Sequence, residues 1–84
     1  MRMLAAVTHA QLEFTVEPFI AGEPGAHVLA AVTAAEALGV RVEMGPFGTS
    51  ATVAIEQVGA ACAAVVDAAL VAGASRVSVS VERG

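Results

Sequence analysis

Acids and small hydroxyls recur at every second position in four stretches of this chain. Glu13, Thr15 and Glu17 alternate with Leu12, Phe14 and Val16. Arg41 and Glu43 alternate with Val40, Val42 and Met44; Ser50 and Thr52 with Ala51, Val53 and Ile55; Ser78, Ser80 and Glu82 with Val77, Val79 and Val81. Period-two alternation puts one set of side chains on one face of a strand. If the strands share a sheet, one face carries carboxylates and hydroxyls together with Arg41. Carboxylates match a positive group, and hydroxyls match ring nitrogens. The same face can also lie in water or against a second subunit.

The turn Met44-Gly45-Pro46-Phe47-Gly48-Thr49-Ser50 adds a second chemical feature. It reads as a β-hairpin connection. Phe47 is an aromatic on a tight loop, suited to stacking on a flat heteroaromatic ring or a cation. Gly45 and Gly48 let a ligand approach the backbone.

Other chemistries find no support. His9, His27 and Cys62 lie on separate segments, whereas a metal site needs clustered ligands. Cys62 sits in Ala-Ala-Cys-Ala-Ala without a base or cation at helical spacing, so it reads as a small core residue. Phosphate-binding and dinucleotide-binding glycine motifs are absent. His27, near a helix start, reads as a surface residue, and no nucleophile, base and orienting group can be assembled. The expectation is therefore binding without catalysis, with no metal and no cofactor. A small enzyme ranks last, because the acids lack a partner base.

The elements that must position these residues follow from the same periodicities. Strands are predicted over Gln11–Glu17, Val40–Met44, Thr49–Ile55 and Arg76–Arg83. A helix is predicted over Ala26–Leu38, with Val28, Val32, Ala35 and Leu38 as its buried stripe and Gly39 as its stop. A second is predicted over Gln57–Ala72, burying Val58, Cys62, Val65, Ala69 and Leu70 and stopping at Gly73. The order β-α-β-β-α-β predicts an α+β ferredoxin-like sandwich. Right-handed crossovers put both helices on one face of an antiparallel four-stranded sheet of order 4-1-3-2. Residues 1–10 are expected to form a flexible tail and residues 11–84 a single domain.

Composition narrows the partners. The chain has four arginines, no lysine and a net charge of −4, so it has no basic stripe for nucleic acid. No apolar run reaches the ~18–20 residues of a membrane span. The apolar stretch Leu4 to Val7 is shorter than the ~7–15 residues of a signal-peptide core, and a cytoplasmic location is expected. Hydrophobic residues make up 57% of the chain, largely as Ala and Val, and self-association would add buried area to so small-sided a core.

Val16-Glu17-Pro18-Phe19 at the end of the first strand, and Met44-Gly45-Pro46-Phe47-Gly48-Thr49 before the third, resemble the small thiamine-binding, YkoF-like domains. The likeness covers about Leu12 to Arg83. It implies a ferredoxin-like fold, homodimers or homotetramers built by sheet association, and binding of thiamine or its hydroxymethylpyrimidine part. Carried onto this chain, it implies Thr15 and Glu17 from the first strand and Phe47, Gly48 and Thr49 from the turn. Glu43, Ser50 and Thr52 complete the expected ligand-binding set from the open face. The segment Ala54 to Gly59 lacks the more charged stretch that single-domain relatives carry there. The alternative is a structural or regulatory homo-oligomerisation module without a small ligand.

Overall fold

The structure is a computed structural model that describes residues 8–18, 25–45 and 48–84. Most of the expected tail, Pro46 and Phe47 lie outside the described residues. The elements are β1 (His9–Glu17), α1 (Ala26–Glu36), β2 (Arg41–Met44), β3 (Thr49–Ala54), a 3₁₀ turn (Ile55–Gln57), α2 (Val58–Val71) and β4 (Arg76–Arg83). One four-stranded sheet has the order β2-β3-β1-β4, with every neighbouring pair antiparallel. Read from the other edge, this is the 4-1-3-2 order of the ferredoxin-like fold. β1 begins at His9, two residues ahead of the clear alternation, and Ala10 is already buried.

The alternation is realised as one dry face and one wet face. Leu12, Phe14 and Val16 of β1 and Ala51 and Val53 of β3 are buried, and they meet Val28, Ala31, Val32 and Ala35 of α1 and Ala61, Val65 and Ala69 of α2. The central strands β1 and β3 are the most completely covered. On β4, which is an edge strand, Val77 and Val79 are only half-buried and Val81 is exposed.

The expected inward positions differ from the structure in three places, two on the helix stripes and one at the end of β3. Leu38 is exposed because α1 ends at Glu36 and Leu38 falls in the following turn. Leu70 is exposed because it sits about 100° round the helix from buried Ala69. The buried row is Ala61, Val65 and Ala69, with Val58 and Cys62 packed beside it. Ile55, expected on β3, belongs to the 3₁₀ turn and is half-buried. Alanines at the centre of both helices leave little side chain between the two helix axes, so α1 and α2 pack closely against one another.

The helices stop by different means. At the end of α2, Gly73 has φ +106°, its N–H donates to the Leu70 carbonyl, and the Ala74 N–H donates to that of Ala69. This is a Schellman closure, and it requires the left-handed conformation that glycine adopts most easily. In α1 the last turn tightens: the Leu38 N–H donates to the Ala35 carbonyl and the Gly39 N–H to that of Glu36. Gly39 then takes φ +77° two residues beyond the cap residue Ala37. A pair of substitutions separates backbone strain from packing. A side chain at Gly73 or at Gly59 would meet nothing within 4 Å. Gly73→Ala is expected to destabilise by about 1–2 kcal/mol through strain alone. Gly59→Ala, inside α2, is expected to stabilise by roughly 0.5 kcal/mol through helix propensity. Urea unfolding followed by circular dichroism measures both; equal signs would refute this account.

Candidate functional site

Strand pairing converts the outward residues into rows that run straight across the helix-free face. Glu43 is opposite Ser50, Ser50 is opposite Glu13, and Glu13 is opposite Ser80. This row, Glu43–Ser50–Glu13–Ser80, alternates carboxylate and hydroxyl from one sheet edge to the other. At ~4.8 Å per strand spacing, the Glu13 and Glu43 backbones lie about 10 Å apart, with the Ser50 hydroxyl between them. One row further down, Arg41, Thr52, Gln11 and Glu82 line up in the same way. There the Gln11 amide donates to Thr52 Oγ1 at 3.3 Å.

The row on the other side is bare of side chains at its β2 and β3 positions. Continuing the registers places Gly45 opposite Gly48 and Gly48 opposite Thr15, and Thr15 pairs with Ser78. The Gly45 N–H donates to the Gly48 carbonyl at 2.7 Å, so the β2–β3 hairpin is closed at its base. A side chain at Gly48 would sit 3.2 Å from Thr15 Oγ1, and one at Gly45 would sit 3.2 Å from the Gly48 carbonyl. Two glycines side by side leave a gap in the wall of side chains. The result is a hollow of about 340 Å³, lined by Glu13, Thr15, Glu43, Gly45, Gly48 and Ser50, with Phe14, Met44 and Thr49 contributing at its margin. A second hollow of about 290 Å³ shares Glu13 and Thr15 and extends to Ser78, Val79 and Ser80.

Of the residues expected at the site, the structure brings Thr15, Glu43, Gly48, Thr49 and Ser50 together around the larger hollow. Thr49 follows the core parity of Ala51 and Val53 and is buried, so it reaches the hollow from its rim. Glu17 and Thr52 are set apart from both hollows. Glu17 sits at the end of β1, where its carboxylate is 3.7 Å from the Arg76 guanidinium and its carbonyl accepts from the Ser75 N–H. Phe47 lies outside the described residues. Glu13 was missing from the expected set although it borders both hollows. Its alternation on a central strand was the available signal.

Side chains aimed from strands at a shallow hollow can bind and orient. Both acids are exposed, and no buried side-chain polar atom among the described residues is left without a hydrogen-bond partner. Among the described residues no three His, Cys, Asp or Glu side chains group as metal ligands, and no helix is long and apolar enough to cross a membrane.

No protein-family model and no curated protein matches the chain. Among solved structures it is similar to a domain of unknown function, DUF77, from Bacillus cereus, at 23% identity and a TM-score of 0.53, over 89% of this chain and 73% of that one. That likeness, together with the element order and strand order described above, establishes a ferredoxin-like α+β fold.

Proposed function

We propose that this protein binds, without catalysis, a small cationic or heteroaromatic ligand of the thiamine type on the helix-free face of its sheet. The observation that carries the reading is the Glu43–Ser50–Glu13–Ser80 row beside the hollow floored by Gly45 and Gly48. A volume of about 340 Å³ falls at the lower end of small-ligand pockets, ~300–1,000 Å³. Glu13 and Glu43 flank it with negative charge suited to a thiazolium. Ser50 and Thr15 offer hydroxyls that can donate to or accept from an aminopyrimidine. The resemblance of the Val16–Phe19 and Met44–Thr49 segments to thiamine-binding domains points the same way. Titration calorimetry with thiamine tests the proposal. Saturable heat is expected, with a matching rise in melting temperature. No heat and no thermal shift at millimolar thiamine would sink it.

The second reading is a homo-oligomerisation module that needs no small ligand. The observation favouring it is the outer edge of β4, which no element pairs with among the described residues. Light scattering across a concentration series tests it, and a strict monomer refutes it.

A further inference from the structure

We propose that a cleft on the helix side of the sheet binds a small aliphatic monocarboxylate, with Arg83 holding the carboxylate and Ile55, Val58 and Val81 covering the hydrocarbon chain. The cleft has a volume of about 370 Å³ and is lined by Ala10, Ile55, Val58, Val81 and Arg83. It shares no residue with the hollows of the open face, and the sheet lies between them. The inference therefore stands apart from the thiamine-type reading.

The sequence accounts for the space. The inward residues of β1 are Ala10, Leu12, Phe14 and Val16, all buried. Three are large, and Ala10 puts only a methyl group into the layer beneath the helices. Its row across the sheet is Val53, Ala10 and Arg83, and directly paired residues project to the same face. The 3₁₀ turn Ile55–Gln57 carries the chain from β3 into α2, which places Ile55 and Val58 on one wall and Val81 of β4 on the other. Both walls stand on backbone tied to the start of β1. The Ile55 N–H donates to the Thr8 carbonyl at 3.0 Å, and the Gly84 N–H donates to the His9 carbonyl at 3.3 Å.

The lining selects the ligand class. Ile55 and Val58 are half-buried and Val81 is 48% exposed, so apolar surface is left for a hydrocarbon chain to cover. Arg83 continues the inward parity of Val77, Val79 and Val81, and among the described strand residues it is the one charged side chain on the helix side. Arg41 and Arg76 belong to the open face. Among the described residues the one ion pair joins Arg76 to Glu17, so Arg83 is exposed with no carboxylate of its own. A guanidinium presents two parallel N–H donors that fit a carboxylate. A single cation in a chain of net charge −4 favours a monoanion over a phosphate dianion. A volume near the lower end of small-ligand pockets, ~300–1,000 Å³, suits an acid of octanoate size.

Amide-resolved NMR titration of the full chain with octanoate, and with octanol as its neutral analogue, tests the proposal. Octanoate is expected to give saturable shifts centred on Ala10, Ile55, Val58, Val81 and Arg83, with Glu13 and Ser50 of the open face unmoved. Octanol, which lacks the charge-assisted hydrogen bonds, should bind about tenfold more weakly. Arg83→Gln should weaken octanoate by about tenfold and leave octanol within about twofold of wild type, a difference that a merely apolar cleft would not produce. Ala10→Leu fills the cleft and should abolish binding of both. Val81→Ser, at an exposed position, serves where Ala10→Leu does not fold, and should weaken both ligands alike by about threefold. Absence of saturable shifts at millimolar octanoate overturns the proposal, as it would if a second copy or another segment of the chain already filled the cleft. So do shifts centred on the open face, equal binding of octanoate and octanol, or an Arg83→Gln variant that binds octanoate like wild type.

Discussion

Phe14→Ala is expected to remove roughly 3–5 kcal/mol from the domain, a large share of its total stability. Among the described residues Phe14 is the largest fully buried side chain, at 2% exposure, and it lies on the central strand between Thr49 of β3 and Val79 of β4. Truncating a buried phenylalanine costs roughly 3–5 kcal/mol, from lost transfer energy and the cavity left behind. A domain of this length holds roughly 4–13 kcal/mol in total, at ~0.05–0.15 kcal/mol per residue. The other core residues are mostly alanine and valine, too short to collapse into the space. At about 4–8 °C per kcal/mol, the melting temperature should fall by at least ~12 °C. The chain has no Trp or Tyr, so far-ultraviolet circular dichroism is the suitable probe. A loss below about 1 kcal/mol would mean that Phe14 does not anchor the core. The same strand presents Glu13 and Thr15 to the open face, so function and stability are coupled through β1.

The strands were legible because their two faces differ sharply in chemistry. Leu12, Phe14 and Val16 against Glu13, Thr15 and Glu17 leave one solution for which side is dry. The helices were less legible for the opposite reason. Most positions of α2 are Ala or Val, so hydrophobicity does not mark a face, and the bulkier Leu70 lies on the exposed side of Ala69. In such a helix the row at closest approach is filled by the smallest residues, here Ala61 and Ala69, because close helix contact excludes larger ones.

The site shows a further limit. Alternation tells which face a residue occupies but not which residues share a row. Glu13, Glu17, Glu43 and Glu82 all alternate outward and are equivalent in sequence. Pairing register separates them: Glu13 and Glu43 flank Ser50, Glu17 is drawn to Arg76, and Glu82 shares a row with Arg41. Register depends on contacts between segments far apart in the chain, and a single sequence does not state it. Gly45 and Gly48 were visible as turn residues. Their role as a gap in the side-chain wall follows only from Thr15 lying opposite.

Replacing both Glu13 and Glu43 by glutamine is expected to weaken thiamine binding by roughly 30-fold while leaving the fold intact. Each exposed charge–charge contact contributes about 1 kcal/mol. Both residues are exposed, so the amides should change stability by no more than about 0.5 kcal/mol, with some relief of repulsion along the row. Salt dependence gives a second readout. Wild-type affinity should fall as added salt shortens the screening length from ~10 Å at 0.1 M, while the double variant should show a much flatter response. Glu56→Gln serves as a control, since Glu56 is an exposed acid of the 3₁₀ turn that borders neither hollow. If the ligand instead bound through general attraction to an acidic protein, all three acids would contribute alike. Equal losses for Glu56→Gln and Glu13→Gln, or an unchanged affinity in the double variant, would remove the Glu43–Ser50–Glu13 row as the binding element.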